Sequence, residues 1–450
     1  MSKFENNLSQ GNVIKQLILF SIPFIISNLI QSLYNVADMV IVGQFCGTVG
    51  MSGVNIGGQL TFLITNLVIG LSVGATVMIG QYLGSGKKDA MEKTIGTLFT
   101  VLFFLAIVLT VFMVVFRTGL LKLIKTPEEA FSEAKNYLLI TALGTIFIFG
   151  YNALSAIMRG MGDSKNPLIF VAISCAVNIV LDLVLVAGCK MGAAGAAIAT
   201  IVSQAISMLL CIIYLARNNF IFDFKLSSFR IHKDTFKMLM KVGIPTSVQN
   251  VITNVSFLIL TAMVNSLGVT ASAAVGAVGK FNSFGIMPAI AMSASISAMV
   301  AQNLGAGEEE RAVKTTKYGL MMGFGMSAVV FIFAQLFPSR ILSAFANDPA
   351  LIETGTKYMR FFCFDYLVVP IVFSFNGLFT GAGHTTFSLI NNVLSAIAIR
   401  VPAAYIMGFA VGLGLPGIGM GAPMASIVAM IVGLWFYKTG KWKKVVVVHR

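Results

Sequence analysis

Long apolar segments follow one another along the whole chain, separated by short polar joints. Each segment is long enough to cross a bilayer, which takes about 20 residues of helix. A transmembrane barrel would have strands of about 10 residues with alternating polarity, and these segments lack that alternation. The pattern predicts twelve transmembrane helices, at residues roughly 15–42, 52–80, 94–116, 134–157, 167–189, 193–216, 239–265, 271–300, 313–337, 356–379, 386–411 and 418–438.

The composition strengthens this interpretation. Of the 450 residues, 57% are hydrophobic and only 11% are charged, whereas soluble proteins have about 25% charged residues. The mean hydropathy is +0.88. The chain is therefore predicted to be an all-α membrane protein that crosses the bilayer many times, and not a set of soluble domains.

The net charge of +14, from 31 Lys and Arg against 17 Asp and Glu, could suggest nucleic-acid binding. The basic residues are instead spread over the joints between apolar segments and form no basic face. With a cytoplasmic N-terminus, 21 of them fall inside and 8 outside, as the positive-inside rule expects, and Lys280 and Arg400 lie within predicted helices. We therefore expect no nucleic-acid partner, and we expect both termini, with Lys3 and Arg450, in the cytoplasm.

The chain repeats itself at a constant distance. QYLGSGKKDAMEKT at residues 81–94 returns as QNLGAGEEERAVKT at 302–315, and RGMGD at 159–163 returns as TGAGH at 380–384, with the same displacement for both motifs. Because each half would hold six helices, an even number, both halves enter the membrane from the same side. This predicts two pseudo-symmetric six-helix lobes, related by an axis along the membrane normal, with a cavity between them. The predicted organisation is an N-lobe at 1–220, a cytoplasmic linker at 221–238 and a C-lobe at 239–450.

The sequence lacks the residue patterns that several classes of chemistry require. The five cysteines are scattered and odd in number, which gives neither a disulfide framework nor CxxC metal spacing. The three histidines form no HExxH motif. GLGLPG at 412–417 lies between two apolar helices with no strand before it, so it does not predict dinucleotide binding. We therefore expect no bound cofactor and no enzymatic activity.

The most informative residues are acids inside apolar segments. Of the 17 acids, only Asp38, Asp182 and Asp365 are placed there. An ionisable residue at the bilayer centre costs at least about 2.5–3.5 kcal/mol, so it is by default a functional candidate. For Lys280 and Arg400 we favour a structural role, either pairing with Asp365 or extending toward an interface.

Polar side chains lie at helical spacing from the acids, so that they form polar faces on the predicted helices. Gln31, Tyr34 and Asn35 share a face with Asp38, because they lie one or two helical turns before it. Such faces either bind a ligand or join helices by hydrogen bonds, and for single Ser, Thr and Asn residues joining is the commoner role. Further polar positions at helical spacing are Ser174, Asn178, Asp182, Thr200, Gln204 and Ser207 in the first lobe and Gln249, Asn250 and Asn254 in the second.

Several segments along the chain form a recognisable combination. They are Pro23, VADMVIVG at 36–43, the twin QxLGxG loops, RGMGD, NIVLD at 178–182 and GAAIAT at 195–200. With these segments the chain resembles the multidrug and toxic compound extrusion (MATE) family, over nearly all 450 residues. The stretch PTSVQNVITN at 245–254 lacks the helix-seven acid of one branch of that family, so the chain looks closer to the DinF-like branch.

The resemblance implies two lobes that alternate between inward-open and outward-open states. It also implies export of bulky organic, usually cationic compounds in exchange for a cation. It places the family's cation site on Asp38, Asn178, Asp182 and Thr200. The predicted substrate-binding set is Gln31 and Tyr34 from the resemblance, with Asn35, Gln204, Gln249 and Asn254 from the polar faces.

The coupling ion is expected to be H⁺ or Na⁺, and the sequence favours neither. Two neighbouring acids can exchange protons, and four oxygen-bearing side chains can equally serve as ligands for Na⁺. The predicted setting is a bacterial cytoplasmic membrane. There we expect a monomer surrounded by lipid, with small organic cations and drugs as its partners.

Three alternatives remain open at this level. A lipid-linked oligosaccharide flippase of the same superfamily would need a strongly basic cavity, and only Lys280 and Arg400 are available within helices. A membrane-embedded enzyme would need a nucleophile and base or a metal motif. A major-facilitator transporter would have a characteristic charged loop between helices two and three, which is absent. The flippase is the strongest of the three.

Overall fold

The structure, a computed structural model, describes residues 6–218, 220–345 and 347–448. Every regular element in these ranges is a helix, so the predicted all-α class is confirmed. Lys3 and Arg450, which the charge count includes, lie outside the described residues. The α-helices are α1 (Val13–Gly84), α2 (Lys88–Leu123), α3 (Glu128–Leu143), α4 (Thr145–Gly160), α5 (Lys165–Asp182), α6 (Gly192–Arg217), α7 (Lys233–Asn265), α8 (Val269–Gly285), α9 (Met287–Ala306), α10 (Glu309–Leu336), α11 (Pro338–Ser343), α12 (Pro349–Phe362), α13 (Asp365–Gly381), α14 (Thr385–Val393), α15 (Arg400–Tyr405) and α16 (Leu415–Lys438).

The described helices account for twelve membrane crossings. Nine helical segments are long and apolar enough to cross by themselves, and two bent pairs, α3 with α4 and α12 with α13, raise the number to eleven. The twelfth comes from α1, whose 72 residues are broken at Gly47, with φ 64° and ψ −164°. Glycine tolerates this positive φ because it has no Cβ. Each predicted segment either lies within one of these crossings or extends one residue beyond the end of the crossing. The prediction of twelve helices is therefore confirmed.

The outer faces of the helices are apolar, as a lipid environment requires. On α2, Phe104, Val108, Val111 and Val115 are each more than half exposed. Their spacing of three and four residues places them on one face of the helix. A soluble monomer rarely exposes so continuous an apolar surface, and such a surface is stable against lipid tails.

Wider π-helical turns interrupt two of the crossings. One, Leu183–Gly188, begins directly after Asp182. Two others, Leu394–Ile399 and Ile406–Ala410, lie on either side of α15, which begins at Arg400. Such turns are rare and frequently lie at functional sites. They therefore mark the surroundings of Asp182 and Arg400 for closer attention.

Contacts between residues divide the chain into two compact units. The first comprises Met1–Asn7 and Ile26–Ser247, and the second Leu8–Ile25 and Val248–Arg450. Residues 1–5 of the first unit, like Asn219, lie outside the described residues. The small side chains on α6, with Ala193, Ala196 and Ala197 fully buried, let α3, α4 and α5 pack against it in the first unit. In the second unit α13 packs against α9, α10 and α16.

These units differ from the predicted lobes 1–220 and 239–450 in two places. The start of α1 groups with the second unit because Leu17 is buried in the same apolar cluster as Ile296. The linker 221–238 and the start of α7 group with the first unit, where the Ser247 hydroxyl donates to the Leu67 carbonyl oxygen at 2.8 Å. The lobe boundaries inferred from the repeat stay a prediction.

Candidate functional site

A cluster of oxygen-bearing side chains is buried inside the first unit. Asp38 comes from α1, Asn178 and Asp182 from α5, and Thr200 from α6. Asp182 is fully buried, and only 8% of Asp38 and 1% of Asn178 are exposed. The structure thus brings together the four residues that the sequence analysis named as a cation site.

Hydrogen bonds fix the arrangement of this cluster. With its amide oxygen turned toward α6, Asn178 accepts from the Thr200 backbone N–H at 3.1 Å and donates from Nδ2 to Asp182 Oδ2 at 2.8 Å. The Thr200 hydroxyl is hydrogen-bonded to the Tyr34 hydroxyl, with 3.2 Å between the two oxygens. Three helices therefore hold the polar groups in place, which limits the rearrangement that a bound ion would require.

The two carboxyl groups form the electrostatic centre of the cluster. Asp38 and Asp182 lie within hydrogen-bonding reach of each other. Oδ1 of each is buried and has no hydrogen-bond partner. Across the described ranges, neither carboxyl forms an ion pair with Lys, Arg or His. Because two ionised carboxylates can only accept hydrogen bonds and repel each other, one proton or one small cation between them would relieve the conflict.

The donor set matches a hard cation. Carboxylate, amide and hydroxyl oxygens are the ligands that such ions take. In the part of the chain that the structure describes, no group of three or more His, Cys, Asp or Glu side chains could hold a metal ion. The cluster combines two acids with two neutral oxygen donors, a donor set of the kind that can take up a proton or a hard cation.

Tyr137 is a further member of the cluster that the sequence analysis missed. It lies on α3, close to Thr200 and to both carboxyl groups. Gly57 on α1 makes room for its ring, since a Cβ there would lie 2.6 Å from the ring carbon Cδ1. The repeat held a signal that could have found it, because Tyr358 occupies the corresponding position in the second half of the chain.

Comparison with known proteins decides the family. The MatE family model matches residues 23–184 and again residues 245–406, which together exceed half of the chain. The chain belongs to the MatE family of transporters. The resemblance to the MATE family is thereby confirmed, and the double match agrees with the two pseudo-symmetric halves expected from the sequence repeat.

Relatives and a solved structure agree with the MatE assignment. The probable multidrug resistance protein YpnP of Bacillus subtilis is 28% identical over 97% of both chains. The probable multidrug resistance protein NorM of Thermotoga maritima is 27% identical over 100% of this chain and 98% of its own. A solved outward-facing structure of a multidrug resistance MATE family transporter of the MOP superfamily has a TM-score of 0.92 at 23% identity, covering 99% of this chain and 100% of that chain. This last similarity establishes the MatE fold.

The predicted substrate-binding residues of this MatE chain differ in their exposure and in their hydrogen-bond partners. Tyr34 is half-buried and bonded to Thr200, so it joins the carboxyl cluster. Gln31 and Asn35, on the same helix, are exposed. Gln204 is half-buried on α6, and its Oε1 is buried without a hydrogen-bond partner.

The remaining two members, Gln249 and Asn254, lie on α7 in the second unit. Both are half-buried. Asn254 Nδ2 donates to the Asn250 carbonyl oxygen at 2.9 Å, so this side chain is bonded to its own helix. Close by, Asn392 Nδ2 donates to Thr253 Oγ1 at 3.1 Å, which joins α7 to α14. The structure therefore adds an interhelical role to this polar face.

The three charged residues that the sequence placed in second-lobe helices differ from one another in how far they are buried. Lys280 on α8 is exposed. Asp365 is buried, and Arg400 carries a guanidinium whose Nε and Nη1 are buried. Within the described residues, no ion pair joins Asp365 to either of its two basic candidates, Lys280 or Arg400.

Proposed function

We propose that this MatE protein is a cation-coupled antiporter that exports bulky, mostly cationic organic compounds by alternating access. The observation that carries the proposal is the pair of facing carboxyl groups of Asp38 and Asp182, each with a buried and unpartnered Oδ1. Buried charge without a partner is costly, so this pair has a strong preference for taking up a cation. The names of the two relatives, both probable multidrug resistance proteins, support drugs as the exported compounds.

Each residue of the cluster has a distinct part in this mechanism. Asp38 and Asp182 take up H⁺ or Na⁺. Asn178 holds Asp182 in position through its 2.8 Å hydrogen bond, and Thr200 ties Tyr34 to α6. Loss of one such supporting contact weakens a bound ion without removing its charged ligands.

Coupling arises because the ion and the drug compete for the same negative charge. A ligand that binds both conformations equally well shifts neither population, so tight binding alone exports nothing. An ion that neutralises Asp38 and Asp182 also removes the attraction for an organic cation. Ion uptake from outside then favours drug release on that side.

The proposed setting is the bacterial cytoplasmic membrane, with both termini in the cytoplasm and a monomeric chain in lipid. Small organic cations and drugs are the proposed substrates. A pyrophosphate-bearing lipid is disfavoured as cargo, because the cluster of the first unit contains two acids and no basic side chain.

The experiment is dye efflux from everted vesicles or proteoliposomes containing the full chain. Export of ethidium is driven separately by a pH gradient and by a Na⁺ gradient. We expect export with at least one gradient and none in Asp182→Asn, while Glu310→Gln, at an acid whose side chain is 93% exposed, exports like the wild type. Export that proceeds at full rate without either gradient contradicts the proposal.

A further inference from the structure

A short connection in the first unit joins two helices that carry the carboxyl cluster. Residues 189–191 lead from the π-helical turn after Asp182 to the start of α6, the helix of Thr200. The φ of Lys190 is 54° and that of Gly192 is 62°, both in the left-handed region that residues other than glycine rarely adopt. A backbone in such a conformation keeps it only where neighbouring groups hold it. The placement of Asp182 relative to Thr200 therefore depends on what holds this connection.

The carboxylate of Glu133, on α3, contacts the connection where α6 begins. Its Oε2 accepts a hydrogen bond from the Ala193 backbone N–H at 2.8 Å. The first turn of a helix favours a carboxylate, because its N–H groups lack partners within the helix and carry a partial positive charge. Gly192 leaves room for the carboxylate, since a Cβ at this residue would lie 2.8 Å from the same Oε2. On the other side of the connection, the Met191 backbone N–H donates to the Leu185 carbonyl oxygen at 3.0 Å.

Close packing of α3 against α1 fixes Glu133 in turn. A Cβ at Gly53 would lie 2.5 Å from the Glu133 Cβ, and a Cβ at Gly57 would lie 2.6 Å from Cδ1 of Tyr137. Both the glycines and their partners are four residues apart, so two successive turns of α1 admit two successive turns of α3. Glu133 thus shares a helix face with Tyr137, the residue that lies close to Thr200 and to both carboxyl groups.

We propose that Glu133 is a positioning residue for the coupling ion, which fixes Thr200 relative to the carboxyl groups through its hydrogen bond to the first turn of α6. This inference rests on the proposed cation coupling and adds to it a residue that does not contact the ion. Ala193 and Thr200 are seven residues apart, a rise of about 10 Å along the helix. Hydrogen bonds join each turn to the next over this length, so the position of the first turn sets that of the Thr200 backbone N–H, which donates to Asn178 at 3.1 Å.

An acid at this position has a second conceivable use, as a transient binding site on the path of the ion. The two uses place different demands on the side chain. Positioning requires an oxygen that accepts from Ala193, and Glu133→Gln keeps such an oxygen. A transient site for a cation requires the negative charge, which Glu133→Gln removes. Comparison of Glu133→Gln with Glu133→Ala therefore separates the two.

The test measures ion affinity and helix protection on the purified full chain. Affinity is obtained from ²²Na⁺ titration and from the pH dependence of ethidium-induced proton release. We expect Glu133→Ala to bind the coupling ion about 10-fold more weakly, the lower end for loss of a group that orients ligands. Glu133→Gln should lose only about 3-fold, because a neutral hydrogen bond has about half the strength of a charge-assisted one. Amide hydrogen exchange over residues 189–200 should rise in Glu133→Ala and much less in Glu133→Gln.

Two control variants separate positioning from a general loss of stability. Glu129→Ala removes an exposed acid from the preceding turn of α3 and should leave ion affinity and amide exchange unchanged. Thr110→Val removes the hydrogen bond from the Thr110 hydroxyl to the Ala142 carbonyl oxygen, 2.8 Å long, which joins α2 to α3. It should lower the temperature of thermal unfolding and leave ion affinity as in the wild type.

Wild-type ion affinity in a folded Glu133→Ala overturns the proposal, and so does wild-type amide exchange at the start of α6. A loss in Glu133→Gln as large as that in Glu133→Ala also overturns it, because the charge and not the hydrogen bond would then matter. Should Glu133→Ala fail to fold, Glu133→Leu fills the same space without any acceptor and must show the 10-fold loss.

The same measurements separate this inference from the antiport mechanism. If the wild type binds and releases no coupling ion, the proposed function fails, and amide exchange still decides whether Glu133 fixes α6. If the wild type binds an ion that Asp182→Asn does not bind, while Glu133→Ala binds it with unchanged affinity, coupling stands and only the role of Glu133 is wrong.

Discussion

The first unit buries two acids, Asp38 and Asp182, beside the uncharged amide of Asn178. The second unit instead buries one acid, Asp365, and the Nε and Nη1 atoms of Arg400, with no ion pair between these two residues in the part of the chain that the structure describes. The two units are similar in one respect, since the buried Tyr137 of the first corresponds in the sequence repeat to the buried Tyr358 of the second. What differs is the charge balance. A duplicated helical frame can thus keep a similar fold while the charges of its buried side chains differ between the two copies, because packing depends on shape and ion binding depends on net charge.

The two acids of the first unit bear directly on the proposed function. Unpaired buried charge is expensive. In the proposed mechanism Asp38 and Asp182 take their compensating cation from solution, and this exchange is what would let an ion gradient drive movement.

The largest expected effect comes from removing the charges that distinguish the first unit. Asp38→Asn and Asp182→Asn keep the shape of the side chain and cannot change charge, so each should abolish gradient-driven ethidium export. Expression and thermal unfolding should stay close to the wild type, because the change removes an uncompensated buried charge. Export and unfolding are measured on the same vesicle preparation. Wild-type export by Asp182→Asn would move the role of coupling acid to Asp365.

Loss of a side chain that supports the two acids should have a smaller effect than loss of an acid. Asn178→Ala and Thr200→Ala each remove a group that positions the carboxyl cluster, and we expect the affinity for the coupling ion to fall by about 10- to 100-fold. Ion titration of the purified chain measures this. The matched control is Ser426→Ala, which removes a buried hydroxyl from α16 of the second unit and should leave ion affinity unchanged. An equal loss in that control would mean that both units bind the ion.

A smaller effect is expected from the paired tyrosines. Tyr137→Phe removes a hydroxyl that lies close to Thr200 and both carboxyl groups. On the scale of one hydrogen bond, about 0.5–1.5 kcal/mol, ion affinity should fall by about 2- to 10-fold. Tyr358→Phe in the second unit should leave it unaltered. The two variants are compared in one titration, and the comparison fails if Tyr358→Phe has the larger effect.

The smallest effect is expected on the amide-rich face of α7. Asn254→Ala should change the relative export of different dyes by no more than about 5-fold, the scale of one hydrogen bond. Ethidium-induced ion release should stay intact. Export rates for a panel of cationic dyes, with ion release measured beside them, check both statements. Loss of ion release would show that the cation site includes α7.

Much of the fold was predictable because the bilayer imposes a local requirement. A helix that crosses it needs a run of apolar residues, and such a run can be recognised without knowing any contact. Gly47 illustrates the same point, since the predicted joint between 42 and 52 is where α1 breaks. The grouping of residues 8–25 with the second unit was not predictable in this way, because it depends on Leu17 packing against residues far away in the sequence.

The candidate site was predictable only in part. Asp38 and Asp182 stood out because acids are rare in apolar segments, and Asn178 lies one helical turn from Asp182. Tyr137 did not stand out, since a tyrosine near the end of a crossing is ordinary. Gln31 and Asn35 share a helix face with Asp38 in the sequence pattern, yet the structure leaves them exposed and buries Tyr34 against Thr200.

The sequence by itself determined the number of crossings, the repeat and the rare acids inside the helices. These are properties of single residues and their spacing, since the cost of placing a side chain in lipid depends mainly on that side chain. The tertiary structure alone decided that two acids meet, that Tyr137 lies close to them and that Asp365 is buried while Lys280 is exposed. Such contacts depend on how closely helices approach, which is set by the small and large side chains of several distant segments packing together.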